Sequence, residues 1–506
     1  MNMSMFSVSP HTFYVLEFLS VLFIFFIGTI ALVIALIFII DKTQTKDAIR
    51  HNYPVIGRLR YVFLNLGDFF RQYFFSMDRE EMPFNRAERN WVKNAANDED
   101  SMLAFGSTKN LSPVGTAIFV SCPFPTLDED AVPTQPMIIG PYCKNPYAAK
   151  SFFNISAMSY GSISKPAIQA LSRGAKMAGC WLNTGEGGLS SYHLEGGCDL
   201  IFQIGTAKYG VRDEFGVLSE EKLKQMASRD QIKMFEIKLS QGAKPGKGGI
   251  LPGVKVTREV AEIRGIPIGQ DSISPNRHRD IDTVPDILDA IERVRTIAEK
   301  PVGIKFVVGA YGWIEKLFIE VHKRGIESAP DFITIDGGDG GTGAAPMALL
   351  DNVGVPLRES LILVADLLIK YNLKERIRLI AAGKLITPAD VAWALCAGAD
   401  FVNSARGFMF ALGCIQALKC HKNTCPTGIA THKLHLQTGL NPVDKAVKVF
   451  NYVKNMVCEV ETIAHSCGVH EPRLLKRYHV RIMRDNGVSV PLDILYPVPE
   501  IIRHFN

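Results

Sequence analysis

The sequence predicts an α/β protein, a (β/α)8 TIM barrel preceded by one N-terminal transmembrane helix. Three observations carry this prediction. Short apolar runs alternate with amphipathic segments between residues 151 and 435. Nearly every apolar run ends in a polar, glycine-rich tip. One uncharged stretch near the N terminus is long enough to cross a bilayer.

That stretch runs from Phe18 to Ile40 as FLSVLFIFFIGTIALVIALIFII, interrupted only by Ser20, Gly28 and Thr29. Its 23 residues, at a rise of about 1.5 Å each, reach across a hydrocarbon core of roughly 30 Å. A cleaved signal peptide would show a basic leading region, a shorter apolar run and a small-residue cleavage site. Here no Lys or Arg precedes Lys42, and the run ends in IFIIDK. A permanent anchor therefore outweighs both a signal peptide and a buried core helix. Lys42, Lys46, Arg50, Arg58 and Arg60 follow the span. The positive-inside rule puts the body of the chain in the cytoplasm, on a single pass through the inner or cytoplasmic membrane. From Tyr53 to Phe75 aromatics mix with arginines, a pattern that suits either a helix lying on the membrane surface or an ordinary packed helix.

The expected layout is an anchor over 1–41, a juxtamembrane and lead-in segment over 42–150, the barrel over 151–435 and a C-terminal helical extension over 436–506. Hydrophobic residues make up 47% of the chain, with a mean hydropathy of +0.10, and the excess sits in the span. The net charge of +5 comes without a basic run, which argues against nucleic acid as a partner. Ten cysteines in a cytoplasmic body should stay reduced, so no disulfide framework is expected.

Eight apolar runs are expected as strands: 152–156, 181–184, 200–204, 234–239, 302–308, 332–336, 377–381 and 401–404. Helical patterns lie between them, clearest at 165–178, 285–300 and 387–400. The runs end in SAMSYGS (156–162), NTGEGG (183–188), QIGTAKYG (203–210), KLSQGAKPG (238–246), DGGDGGTG (336–343), AAGK (381–384) and SARG (404–407). A single glycine motif would suggest no more than a tight turn. Seven such tips on the C-terminal face of one barrel point to a ligand site.

The glycines of AAGK and SARG, Gly383 and Gly407, precede helical patterns and suit phosphate binding. Lys238 and Lys305 fall within strands; if they point inward they need an anionic partner such as a reduced flavin. Cys414, Cys420 and Cys425 form C-x5-C-x4-C. Spacing leaves three readings close together: an iron–sulfur cluster, zinc with His421 or His432 as fourth ligand, or three unrelated buried thiols.

The stretch ALGCIQALKCHKNTCPTGIATH closely resembles the [3Fe-4S]-binding segment of glutamate synthases. The resemblance continues upstream through NTGEGG, KLSQGAKPGKGGILPG, DGGDGGTGAAP and AAGKLITPADV, and covers roughly residues 150–435. It implies an FMN-binding barrel with Cys414, Cys420 and Cys425 on a [3Fe-4S] cluster. It implies FMN contacts from Ala157, Met158, Ser159, Gln203, Lys238, Lys305, Gly337, Gly338, Gly341, Gly343, Gly383, Lys384 and Gly407. The implied reaction is reductive amination of 2-oxoglutarate, or a related 2-oxo acid, with ammonia to give L-glutamate or a related amino acid. Lys244 and Arg264 would bind substrate carboxylates, and Glu186 would hold or protonate the reacting oxygen or imine nitrogen. The first cysteine is Cys122 and a membrane segment occupies the N-terminal end, so the chain is expected to be a stand-alone synthase core without the glutaminase domain. Ammonia would then come from solution or from a separate amidotransferase subunit. Electrons would come from an external donor, a ferredoxin or a reductase subunit.

The family carries KPGEGGQLPG where this chain has Lys244-Pro-Gly-Lys247-Gly-Gly-Ile250-Leu-Pro-Gly. A glutamate has become Lys247 and a substrate-contacting glutamine has become Ile250. Losing a hydrogen bond to a charged group costs about 1.5–3 kcal/mol, enough to change which oxo acid is preferred. Two rival readings follow: an N-alkylglutamate synthase-like enzyme, and a flavin/iron–sulfur electron-transfer protein serving a membrane partner. Pure electron transfer has no use for Glu186, Lys244 and Arg264, which speaks against the second.

Overall fold

The computed structural model describes residues 10–44, 47–70, 74–75 and 77–502. The chain forms two compact units, Met1–Arg86 and Ala87–Asn506.

The first unit is helical. Helix α1 spans Pro10–Thr43 and α2 spans Ala48–Asn52. Helix α3 covers Ile56–Phe70. The apolar side chains of α1 are exposed along its length, and the helix is long and apolar enough to cross a membrane. Asp41, in its last turn, is fully buried. Its carboxylate accepts from Arg58 in bidentate fashion, at 2.9 Å from Nε and 2.8 Å from Nη2. Arg50 Nε lies 3.3 Å away. Lys46, counted among the basic residues after the span, and residues 71–73 of the aromatic stretch lie outside the described residues.

In the second unit eight parallel strands close into a barrel. They are β1 Phe153–Ile155, β2 Leu182–Asn183, β3 Leu200–Ile204 and β4 Ile232–Lys238. They continue with β5 Val302–Phe306, β6 Phe332–Asp336, β7 Arg378–Ala382 and β8 Phe401–Ser404. Closure comes where Ser404 of β8 registers with Ile155 of β1. All eight coincide with the expected apolar runs. Such strands are buried on both faces, so they read as continuous apolar runs rather than as alternation. The helix over Lys165–Ala178 has the expected bounds and ends on left-handed Gly179. Helix Val284–Ala298 starts at a capping box of Thr283 and Asp286.

The N-terminal end of the barrel is filled by Trp181, Ile201, Met234, Phe332, Ile380 and Phe401. Ile139, Tyr147 and Ala149 join this core from the antiparallel hairpin Met137–Ile139/Tyr147–Ala149. Above it lies the carboxylate of Glu236, which accepts from Asn183 (2.9 Å), Gln203 (2.6 Å) and Thr334 (2.7 Å). With the N-terminal end closed in this way, ligands enter from the other face.

The segments flanking the barrel differ from expectation. The lead-in contributes regular elements: helix Arg86–Asn97 packs Trp91 against Tyr452, and strand Ala117–Phe119 pairs with Val480–Met483. The C-terminal extension is not helical throughout. Helix Pro442–Ser466 is followed by strands Val480–Met483 and Ser489–Pro491, which complete a three-stranded sheet with Ala117–Phe119. Strands of three or four residues, one of them paired hundreds of positions away, leave no local periodicity to find.

Candidate active site

The C-terminal mouth of the barrel opens into a cavity of about 140 Å3. Five of the seven expected tips contribute to its wall, and Gln203 comes from a sixth. Of the expected cofactor residues, Ala157, Met158, Ser159, Gln203, Lys238, Lys305, Gly341 and Gly343 line it. Glu186, Lys244, Ile250 and Arg264 line it too, as do Cys414, Cys420 and Cys425.

Five expected residues do not. The Gly337 and Gly338 amides donate inside the protein, to the carbonyls of Ala382 and Val355, both at 2.8 Å. Gly383 and Lys384 lie off the cavity in left-handed backbone, at φ 131 and 51. Gly407 is the second residue of helix Arg406–Ala411, where a side chain would strike the Tyr452 hydroxyl. These glycines serve close packing. At the SARG tip it is Ala405 and Arg406 that face the cavity.

Lys238 and Lys305 are register partners on neighbouring strands, and both point inward. Each already has a carboxylate: Lys238 Nζ lies 2.9 Å from Glu186, and Lys305 Nζ lies 3.6 Å from Asp336. Two glycines make room for the machinery. A Cβ at Gly249 would lie 2.6 Å from Glu186 Oε1, and one at Gly187 would lie 2.9 Å from Arg264 Nη2. Burial pushes the Glu186 carboxyl up, but the charges of Lys238, Lys244 and Arg264 and the Lys238 hydrogen bond override it and hold Glu186 at about 2. It is a fixed carboxylate, so the expected role of proton donor does not suit it in the free enzyme.

Lys244 and Arg264 are buried, and neither has an ion-pair partner among the described residues. Burial lowers Lys244 to about 8, with Glu186 opposing the shift. The Arg264 guanidinium donates to Ser272 Oγ (3.2 Å) and the Tyr160 carbonyl (3.3 Å) and lies 5.2 Å from the Tyr209 ring centre, while its Nε has no partner. Arg264 is therefore not the solvated helix-end charge that its sequence position alone would suggest. Ile250 is half-buried on the cavity wall, in the short strand Ile250–Leu251 paired with Ser272–Ile273.

Sequence reasoning missed Lys255. It is 2% exposed and donates to the Ser162 carbonyl and, at 3.2 Å, to the Cys420 carbonyl. Asn423 makes a second staple, donating to the Val254 carbonyl at 2.8 Å. Together they tie the loop after Ile250 to the cysteine loop. The signal was available: a lone lysine inside the otherwise uncharged run Ile250–Val256.

The three cysteines share the cavity wall, but among the described residues no three His, Cys, Asp or Glu side chains converge as a metal-binding group. Their surroundings differ: burial pushes the Cys414 thiol up, away from thiolate. Burial raises Cys425, yet hydrogen bonds from Thr427 and from the backbone at Ala430 and Ile429 bring it below the usual thiol range. Arg406 Nη1 lies 4.0 Å from Cys420 Sγ. The lining also carries six basic side chains, Lys238, Lys244, Lys255, Arg264, Lys305 and Arg406, against the single carboxylate of Glu186. Such a wall favours phosphate and carboxylate groups.

Residues 124–470 match a conserved region in glutamate synthase. The glutamate synthase large subunit-like protein YerD of Bacillus subtilis is 40% identical over 512 aligned positions, covering 93% of this chain and 97% of that protein. An archaeal-type glutamate synthase [NADPH] of Dehalococcoides mccartyi is 34% identical over 328 positions, 64% of this chain and 62% of that one. A glutamate synthase large subunit-like protein of Rhizobium meliloti is 31% identical, covering 65% of this chain and 74% of the relative.

Proposed function

The chain belongs to the glutamate synthase family and is a glutamate synthase-like oxidoreductase, and on that premise we propose that it binds FMN and a [3Fe-4S] cluster and reductively aminates 2-oxoglutarate or a related 2-oxo acid. The observation that carries this reading is the pair of buried cations without counter-ions, Lys244 and Arg264, beside the ionised Glu186 in one cavity. Burying an unpaired cation is costly, so a site that keeps two is built for an anionic ligand.

The overall change takes a 2-oxo acid, ammonia, two electrons and two protons to an amino acid and water. Arg264 binds a substrate carboxylate through its fork. Lys244 neutralises the acid from the other side and, with its lowered pKa, supplies the proton the reacting centre takes up. Glu186 accepts a hydrogen bond from the N–H of ammonia or of the imine and so orients it. Ala157, Met158, Ser159, Gln203, Lys238, Gly341 and Gly343 would hold FMN, and Cys414, Cys420 and Cys425 the cluster. When bound, FMN supplies hydride to the C2 carbon and the cluster passes electrons singly from an external donor, a ferredoxin or a reductase subunit. Ammonia arrives free or from a separate amidotransferase subunit. On this reading helix α1 spans the membrane, and the basic residues after it support a cytoplasmic side for the barrel unit.

The test is a steady-state assay of chemically reduced protein with ammonia and a panel of 2-oxo acids, paired with analysis of flavin released on denaturation. The expected result is FMN and formation of the matching L-amino acid. Protein that can be loaded with flavin yet aminates no 2-oxo acid would overturn the reading.

A further inference from the structure

Helix α3 has two faces with different surroundings. One packs on α2 and on the end of α1: a Cβ at Gly57 would lie 3.0 Å from the Ile49 carbonyl, the Tyr61 hydroxyl donates to Asp47, and Arg58 pairs with Asp41. At the helical period these three fall on about one third of the circumference. The opposite face carries Ile56, Leu59, Phe63, Leu66 and Phe70, a continuous stripe at helical spacing. All five are exposed, Ile56 at 71% and Phe63 at 65%. Tyr61 on the other face is itself 41% exposed, but it turns its hydroxyl to Asp47, whereas the stripe is wholly apolar.

We propose that α3 lies in the plane of the lipid headgroups with this stripe immersed in the bilayer, a second membrane contact beside α1. The proposal rests on the reading of α1 as a membrane span. Lipid is favoured as the occupant by the way α3 is joined to that span. Asp41 belongs to the last turn of α1 and is fully buried. It holds Arg58, the third residue of α3, at 2.8 Å, and accepts from the Val55 amide at 3.1 Å. The start of α3 is thus held within an ion-pair length of the point where the span leaves the hydrocarbon. A stripe of aliphatic and aromatic side chains fixed there meets the headgroup boundary. Lys42 and Arg60 are exposed beside it and match anionic headgroups.

The test uses the full chain in vesicles of phosphatidylcholine and phosphatidylglycerol, with bromine placed on the acyl chains as a contact quencher. Tryptophan is introduced singly as Phe63→Trp on the stripe, Tyr61→Trp on the packed face and Phe23→Trp within α1, each read as a difference from the parent. The expected result is strong quenching of Phe63→Trp by bromine near the headgroups, with Tyr61→Trp far less affected. Equal quenching at 61 and 63, or none at 63 while Phe23→Trp is quenched, overturns the proposal and leaves the span intact. Shielding at 63 that is lost on dilution of the protein in lipid indicates a second copy on the stripe and also overturns it. Quenching at 63 without quenching at 23 removes the span, and with it the proposal of a second contact beside it.

Discussion

Replacing Arg264 by alanine separates a ligand-binding arginine from a structural one, because the two roles move activity and stability in different directions. The guanidinium is 5% exposed, has no carboxylate partner among the described residues, and leaves Nε without an acceptor. Its contacts within the protein are hydrogen bonds at 3.2 and 3.3 Å to neutral acceptors, each with a net worth of about 1 kcal/mol. The cost of burying an unpaired charge opposes them, so the ligand-free variant should lose no more than ~1 kcal/mol. A carboxylate held by the fork has charge-assisted bonds of about 1.5–3 kcal/mol each. Losing two lowers kcat/KM by roughly a hundred- to ten-thousand-fold, at 1.36 kcal/mol per factor of ten. The assay pairs amination kinetics with urea denaturation of the ligand-free protein, and adds reduction of an artificial acceptor, a reaction that needs no oxo acid. Amination should fall by that factor while stability and acceptor reduction hold. A kcat/KM within tenfold of the parent, or a stability loss beyond ~3 kcal/mol, would refute the assignment.

Lys244 sits at about 8 in the folded protein, protonated below that pH and neutral above it, so kcat/KM for amination should fall as pH rises through about 8. A flat profile to pH 10 would rule Lys244 out as the proton donor. Ile250→Gln should raise activity with ammonia and 2-oxoglutarate relative to other oxo acids by about tenfold if one hydrogen bond is regained, as read from ratios of kcat/KM. Cys420→Ser should remove bound iron, measured per mole of protein by metal analysis; unchanged iron would sink the cluster assignment. Asn423→Ala leaves the His432 amide and the Val254 carbonyl without their partner, and should cost about 2 kcal/mol in a denaturant titration.

The barrel was legible because its strands carry two signals at once. Each is a short apolar run, and each ends where glycine and polar residues begin, as at Phe332–Asp336 before DGGDGGTG. The sheet joining Ala117–Phe119 to Val480–Met483 was not legible, since its strands are short and its pairing is long-range. Site residues divided by chemistry. Lys238 and Lys305 were found because a charge inside an apolar strand needs a reason, whereas Glu186 and Arg264 were named only through the family resemblance. Glycines were harder: Gly407 looks like a phosphate-binding residue in sequence and Gly337 is an FMN contact by resemblance, yet Gly407 makes room for Tyr452 and the Gly337 amide donates to Ala382. A sequence shows that a side chain is missing, not whether ligand or protein fills the space. Glu236 went unnoticed because its partners Asn183, Gln203 and Thr334 come from three other strands.

The distribution of charge at the barrel mouth explains how a protein can bury so many cations and stay folded. Lys238 with Glu186 and Lys305 with Asp336 are ion pairs, and their desolvation is offset within the protein. Lys244 and Arg264 have no ion-pair partner among the described residues; the Glu186 charge opposes their desolvation only in part, and burial lowers the pKa of both. Their desolvation is therefore carried by the free enzyme and relieved when an anion arrives. Relief of that kind grows with negative charge on the ligand, so it selects for charge rather than for shape. Shape is left to the neutral wall, where Ile250 stands in a two-residue strand paired with Ser272–Ile273, and Ser272 is the residue whose hydroxyl accepts from Arg264. A change at position 250 thus acts in the same cavity as Arg264, the proposed carboxylate anchor, without altering its charge. On the proposed function, this position would shift substrate preference while Arg264 and Lys244 keep the demand for an acid unchanged.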